Sequence, residues 1–369
     1  MNKKKILFVI TSLGYGGAER LLIHYVSKLN KNKYDFLVCS LRDKPDDLLP
    51  DISIYTAVKK LNLNSRFNPF IVFRLIRLFK EFKPDLIHTH LFQPRIYATI
   101  AYLFYRNSIL ITQKHNNVNA IKHNIFLFLE IFCIFINKKV IAISESVKNS
   151  LIKFEHVSPK KIYVLPNCID YQHFNNTSIS SEELNKRDII VGTVGRLERQ
   201  KGVKYLILAM KIILSRYPDA MLDIIGDGSQ LPKLRKLAEK IGISNSVKFF
   251  GKFGDVKPFY NKMDIFVLSS IYEGFGIVLL EAMASGLPIV ATNVDGIKEV
   301  VSDMKSGILV PSKNPQAIAD AVIKLIENPQ LRSSFIYEGY KRAKIFDVQD
   351  HVMKLDNFYS TLLKTEPSI

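Results

Sequence analysis

The stretch from Met263 to Thr292 leaves this chain few folds to choose from. Residues 265–268 read as a buried strand, a glycine-bearing loop follows, residues 277–284 read as a helix, and residues 288–291 as a second strand. That order, in so short a span, is the unit of a parallel sheet with helical crossovers. Glu273 stands in the loop beside Gly274 and Gly276, and Glu281 follows eight residues later inside the helix. The glycines let backbone come close to a ligand, and free amides at a helix start hold phosphate oxygens. Eight residues are a little over two helical turns, so Glu281 can face the side of the loop. One carboxylate then lies near whatever sits past the phosphates, the other near a hydroxyl-rich group behind them.

At 369 residues the chain suits two domains better than one core. A hydrophobic content of 47% without low-complexity tracts predicts a folded chain throughout. Cys39, Cys133 and Cys168 are scattered with no CxxC spacing, which suggests neither a disulfide framework nor a zinc site and fits a reducing compartment. The start has a basic-then-apolar order that mimics a signal peptide, but its short apolar run breaks at Thr11-Ser12 and reads as a first strand. Charge is unevenly placed. Residues 1–170 carry 26 lysines and arginines against 12 acids, whereas residues 171–369 carry 26 against 22. Such a bias speaks of partners rather than fold, and makes the first half a candidate for an anionic surface.

In the first half, strand 5–10 runs into Gly14, Gly16 and Gly17 and then a helix through Lys28. The order resembles a phosphate loop, yet the spacing falls short of GxGxxG, and a tight turn explains it as well. Strands at 35–41, 86–89, 109–112 and 139–143 alternate with helical segments, as a helix-covered parallel sheet requires. Helix 69–82 spaces Arg74, Arg77 and Lys80 along one side, which suits a sheet-packing helix with a solvated edge or a helix on a membrane surface. The apolar run 125–136, interrupted by Glu130 and flanked by Lys122, Lys138 and Lys139, is too short to span a bilayer. It is expected to be deeply buried or to meet lipid or a partner. His88, His90 and His115 lie at strand ends, where such sheets place ligand contacts, and Ser144 is expected to cap the next helix. The polar stretch 175–187 reads as a linker, with a hinge near 166–188.

The second half repeats the pattern. In the stretch 188–197 Arg196 follows a strand, and Lys201 precedes a helix at 203–216. Two cations at the carboxyl end of one strand can neutralise a diphosphate. Strand 220–225 ends in Gly226 and Gly228, which let a base or ribose approach or else only shape the turn. Helices at 231–241, 298–301 and 315–327, strands at 247–250 and 307–310, and a mostly helical tail at 331–363 complete the expected order.

Taken together, Gly16-Gly17-Ala18-Glu19, Pro166-Asn167, Gly195-Arg196 with Lys201-Gly202, Gly226-x-Gly228 and Glu273-Gly-Phe-Gly with Glu281 resemble the retaining GT-B glycosyltransferases of family 4 over nearly the whole chain. The resemblance implies an α/β GT-B fold of two Rossmann-like domains facing each other across a cleft. Residues 1–170 would bind acceptor, 171–345 the nucleotide sugar, and 346–369 would form a helix packing back on the first domain. It implies that Arg196 and Lys201 hold the donor diphosphate and that Glu281 takes the ribose hydroxyls. Glu273 and the amides of Phe275, Gly276, Ile277 and Val278 would meet the transferred sugar and its phosphate. Gly16 and Gly17 would cover the diphosphate, and His115 would lie beside the anomeric carbon. Cys168 and Asp295 depart from the family pattern, each where glycine is usual.

The resemblance implies hexosyl transfer with retention, and the activity is expected to need no metal, since no DxD occurs and the cations suffice for the leaving phosphate. No cofactor is expected, and the donor is expected to be a UDP-sugar rather than a GDP-sugar. The acceptor would be a lipid-linked or cell-surface polysaccharide precursor, of capsule or lipopolysaccharide type. The protein would be cytoplasmic and peripheral on the inner face of the membrane, with no nucleic acid bound. Two rivals are a GT-B sugar-nucleotide epimerase, which needs no acceptor, and a non-catalytic membrane- or nucleic-acid-binding protein. The second leaves Arg196, Lys201, Glu273 and Glu281 unexplained.

Overall fold

The computed structural model describes residues 3–63, 65, 68–115, 124–175 and 189–364. The linker expected at 175–187 lies almost wholly outside them. The chain divides into two compact units, residues 1–167 with 348–369, and residues 168–347. The first unit therefore ends at Asn167 rather than 170, and the second runs on to Asp347 rather than 345.

The first unit runs β1 (Lys4–Ile10), α1 (Gly17–Lys28), β2 (Tyr34–Ser40), α2 (Leu49–Ser53), β3 (Ala57–Lys60), α3 (Phe70–Phe82), β4 (Leu86–His90), α4 (Phe92–Leu103), β5 (Ile109–Lys114), α5 (Asn124–Ile136), β6 (Lys139–Ala142), α6 (Glu145–Glu155) and β7 (Ile162–Val164). Its seven strands are parallel in the order β3-β2-β1-β4-β5-β6-β7. The order reverses direction between β1 and β4, and that switch point opens a crevice at the carboxyl ends of the strands. β4 and β5 are buried along their whole length, as central strands covered on both faces must be. β3 escaped the sequence pattern because Ala57-Val58-Lys59-Lys60 is a half-exposed edge. Ser144 caps α6 as expected, its hydroxyl accepting from the Val147 amide at 3.0 Å. On α3 the arginines serve the protein itself: Arg74 donates to the Leu61 carbonyl, and Arg77 pairs with Glu81.

The second unit runs α7 (Tyr171–Phe174), β8 (Ile190–Val194), α8 (Val203–Leu214), β9 (Met221–Ile225), α9 (Leu231–Lys240), β10 (Val247–Gly251), α10 (Lys257–Tyr260), β11 (Ile265–Leu268), α11 (Ile277–Ala284), β12 (Ile289–Thr292), α12 (Asp295–Lys298), β13 (Ile308–Val310), α13 (Pro315–Glu327) and α14 (Pro329–Ile345). Its six strands are parallel in the order β10-β9-β8-β11-β12-β13. The switch point here lies between β8 and β11, whose following loops carry Arg196, Lys201 and Glu273. The helix expected at 298–301 instead begins at Asp295. Gly296 packs there so closely that a Cβ would sit 2.4 Å from the Glu273 carbonyl. The helical tail is two helices broken at Phe346-Asp347, and the second, α15 (Val348–Lys364), belongs to the first unit.

Buried polar contacts seat α15. The Tyr25 hydroxyl lies 2.9 Å from His351 Nε2, His351 Nδ1 lies 2.8 Å from the Pro166 carbonyl, and His88 Nδ1 lies 2.6 Å from the Tyr359 hydroxyl. Burial drives His88, His90 and His351 to the neutral form. It pulls His88 down to about 3, His351 to about 4 and His90 well below the ordinary range. The unfolded chain, with histidines near pH 6.5, binds protons at pH 4–6 that the fold does not. Stability from these three is thus full above about pH 6.5 and is lost as pH falls towards 4 and then 3, at up to about 1.4 kcal/mol per pH unit for each. The raised carboxyl of buried Glu155 works in the opposite sense and blunts the fall. Urea midpoints are expected to drop clearly between pH 7 and pH 5, and equal midpoints at both would contradict the burial of neutral imidazoles.

Candidate active site

In the second unit the loops after β8 and β11 are tied into one surface. β8 ends in Gly195, Arg196 and Leu197, and a short 3-10 turn at Arg199–Lys201 brings Lys201 back towards the sheet. Gly202 follows at φ +63, and a Cβ there would sit 2.2 Å from the Ser269 carbonyl, so only glycine passes. The Lys201 ammonium lies 2.5 Å from Glu273 Oε2, both side chains nearly buried at 13% and 11% exposure. Ser270 donates to the same carboxylate oxygen at 3.3 Å, Ser269 to the Lys201 carbonyl at 3.1 Å, and the Ile271 amide to the Gln200 carbonyl at 2.7 Å.

Past Glu273 the chain turns through Gly274 and Phe275, and the Phe275 ring packs edge-on to Phe346 at 5.4 Å. Gly276, at φ +93, is the N-cap of α11 and offers no side chain to it. The helix therefore begins with backbone amides at Ile277 and Val278 that no cap residue occupies, a place suited to an anion. Glu281 sits one turn on from Ile277, only 5% exposed, and accepts a 2.8 Å hydrogen bond from the Tyr260 hydroxyl. Tyr260 was invisible to sequence reasoning as a site residue, because nothing local links the end of α10 to a carboxylate 21 positions away.

Arg196 lies exposed just past β8, where its charge, after two hydrogen bonds from Ser229, helps hold the Glu198 carboxyl below its usual range. Those bonds, 3.1 Å from the Ser229 amide and 2.7 Å from its hydroxyl, join the loops after β8 and β9. Gly226 and Gly228 belong to the same junction. A Cβ on Gly226 would fall 1.9 Å from the Gly195 carbonyl oxygen, and one on Gly228 2.7 Å from that of Leu197. Their glycines are demanded by the neighbouring loop's backbone, which is a stronger constraint than shaping a turn.

The first unit presents its own strand ends. Gly16 is the N-cap of α1 with extended backbone and Gly17 opens the helix. A Cβ on Gly14 would meet Pro45 at 2.6 Å. His115 follows β5, and its Nε2 lies 3.3 Å from His90 Nδ1. Burial and the nearby Arg95 guanidinium hold His115 down at about 3. Arg95 itself enters a buried charge cluster. Glu130 of α5 receives Arg95 at 2.5 Å and Lys114 at 2.7 Å, and Lys114 also bonds Glu155 of α6. The cluster pins the strand end that leads to His115 against three helices. His88, whose ring lies 4.3 Å from that of His90, bonds instead to Tyr359 of α15.

Residues 15–173 match the family profile described as Glycosyltransferase Family 4, and residues 175–342 match that of Glycosyl transferases group 1. Among curated relatives, the capsular polysaccharide biosynthesis glycosyltransferase CapM of Staphylococcus aureus is 29% identical over 328 residues, covering 85% of this chain and 83% of its own. The Escherichia coli UDP-Gal:alpha-D-GlcNAc-diphosphoundecaprenol alpha-1,3-galactosyltransferase is 26% identical over 380 residues, covering 97% of each chain. Among solved structures, Anabaena Alr3699/HepE in complex with UDP and glucose superposes with a TM-score of 0.86 at 23% identity, over 97% of this chain and 100% of that one. Two parallel-sheet Rossmann-like units with this strand order, both halves matched by glycosyltransferase profiles, place the chain in glycosyltransferase family 4, with the GT-B fold.

Proposed function

We propose that the chain moves a hexose from a UDP-sugar to a lipid-linked or polysaccharide-precursor acceptor, with retention of anomeric configuration and without a metal. The observation that carries the donor half is the Lys201–Glu273 pair beside the uncapped start of α11, at the β8/β11 switch point. As the sugar leaves, its anomeric carbon gains positive charge and the departing diphosphate negative charge. Arg196, Lys201 and the α11 amides stabilise that phosphate charge, and fixed dipoles of this kind act without reorganising during the reaction. Glu273, held by Lys201 and Ser270, accepts hydrogen bonds from the sugar hydroxyls, and Glu281, steadied by Tyr260, accepts from the ribose. His115, which the family resemblance sets beside the anomeric carbon, gives a hydrogen bond to the transferred sugar in this reading. Retention follows if attack comes from the face the leaving group departs. The bond from C1 to the phosphate oxygen breaks, the bond from C1 to the acceptor oxygen forms, and the acceptor's proton passes to the departing phosphate.

HepE, solved with UDP, and the E. coli enzyme, named for UDP-Gal, favour uridine as the base. Thermal shift against a panel of nucleoside diphosphates should show UDP stabilising most, because the shift follows affinity. A larger shift with GDP would overturn the choice of base, and no shift with any would overturn the donor site.

The acceptor and the cellular place rest on other observations. CapM is named for capsular polysaccharide, and the E. coli enzyme for a diphosphoundecaprenol acceptor. None of the helices among the described residues is long and apolar enough to cross a membrane. On α5, however, Phe128, Phe132 and Phe135 are 70%, 40% and 74% exposed at helical spacing, and Lys161 lies over the Phe135 ring at 5.1 Å. An aromatic face bordered by lysines, on the unit that carries the positive excess, suits the interface of an anionic bilayer. This reading makes the protein peripheral on the inner leaflet. The full chain should bind phosphatidylglycerol vesicles, release them as salt rises, and lose at least about tenfold in binding when the three phenylalanines become serine. Unchanged binding by that variant would remove α5 from the contact.

A further inference from the structure

The contact between His90 and His115 fixes more than a distance. His90 is fully buried at the end of β4, its ring 4.3 Å from that of His88 and about 6 Å from those of Phe8 and Tyr25. Its Nδ1 meets His115 Nε2 at 3.3 Å, while its own Nε2 is buried with no hydrogen-bond partner. A neutral imidazole has one N–H and one lone pair, so two arrangements satisfy the contact. If His115 Nε2–H donates, His90 must carry its proton on Nε2, stranding a buried donor among aromatic rings. If His90 Nδ1–H donates, only a lone pair is stranded there. Buried donors without acceptors are the rarer defect, so the second arrangement is the more stable.

We infer that His90 is a positioning residue that holds His115 in the neutral Nδ1–H tautomer, so that His115 presents a hydrogen-bond donor and not an acceptor. The other nitrogen's hydrogen bond decides which imidazole nitrogen carries the proton. Burial keeps both rings uncharged, and the positive charge of Arg95 adds to this for His115. The catalytic consequence rests on the role given to His115 above, and the tautomer does not. A donor at that position suits an oxygen of the transferred sugar, whereas an acceptor would suit general-base chemistry, which this assignment excludes.

Nitrogen-15 histidine labelling of the full chain tests it, with His115 assigned by its loss in His115→Gln. The expected spectrum shows a protonated Nδ1 and a bare Nε2 for His115. His90→Asn, whose amide nitrogen overlays the imidazole Nδ1, should keep that pattern. His90→Phe should move the proton to Nε2, the form free imidazole prefers, and lower kcat about 10- to 100-fold with KM for donor little changed, the scale of loss when a ring-orienting partner is removed. His90→Asn should restore most of that rate. A protonated Nε2 in the unsubstituted protein, or an unaltered His115 spectrum in His90→Phe, would overturn the inference. Full turnover in His115→Gln would instead overturn the role of His115 while leaving the tautomer result standing.

Discussion

Replacing Lys201 by alanine is expected to cut sugar transfer by about a hundred- to a thousandfold in a chain that still folds. Two losses combine. On the proposed mechanism the departing diphosphate loses one of its cations, and Glu273 loses the partner that holds its carboxylate 2.5 Å away. Because Glu273 is only 11% exposed, its carboxylate is left without a counter-ion in a poorly solvated place. Ser270 still donates to it, so the cost in stability should stay near the low end for a broken buried contact, about 1–3 kcal/mol. Glu273→Gln keeps the shape and removes the charge. The double variant should fall well short of the product of the two single losses, since residues in direct contact do not act independently. Initial rates of UDP release with the donor that shifts melting most, read beside a circular-dichroism melt, settle it. A Lys201→Ala rate within about threefold of the parent would show that the pair is structural and that the phosphates are bound elsewhere.

What could be read from the chain before its structure follows from how local each signal is. The strands and helices of both sheets were legible because apolar runs bounded by glycine repeat along the sequence, and β11, α11 and α13 fall at the expected residues. The edge strand β3 was not, because an edge has too few buried positions to set a pattern. Glu281 was singled out from its spacing to Glu273, while its hydrogen-bond partner Tyr260 was not legible, since their contact is made by the fold. His90 could be placed at a strand end, but its hydrogen bond to His115 depends on the pairing of β4 with β5. Helix α5 showed its apolar character in sequence. Which side is open, and that Glu130 is spent on Arg95 and Lys114, needed the fold.

Gly226→Ala should be the most damaging small substitution in the second unit, and the reason is backbone and not ligand. Gly226 stands at φ +136, and the added methyl would lie 1.9 Å from the Gly195 carbonyl oxygen and 2.9 Å from its carbon. Neither atom is the loose end of a side chain. Gly195 is itself bonded to Ile225 through its amide at 2.9 Å, and the Gly226 amide bonds the Gly251 carbonyl at 2.7 Å. The ends of β8, β9 and β10 are thus packed backbone on backbone, and relieving the clash must pull at least one pair apart. A strained φ and an overpacked contact, each about 1–3 kcal/mol, sum to about 2–6 kcal/mol. Gly242 supplies the control: it has φ +74 but open space around it, so Gly242→Ala should lose only the strain, about 1 kcal/mol. Urea unfolding at constant m-value separates the outcomes. A Gly226→Ala chain as stable as the parent but unable to bind UDP would mean that the glycine makes room for the nucleotide. A chain with a much lower midpoint means that the glycine joins the three strand ends on which Arg196 and Lys201 depend, and that the donor site is lost through its scaffold.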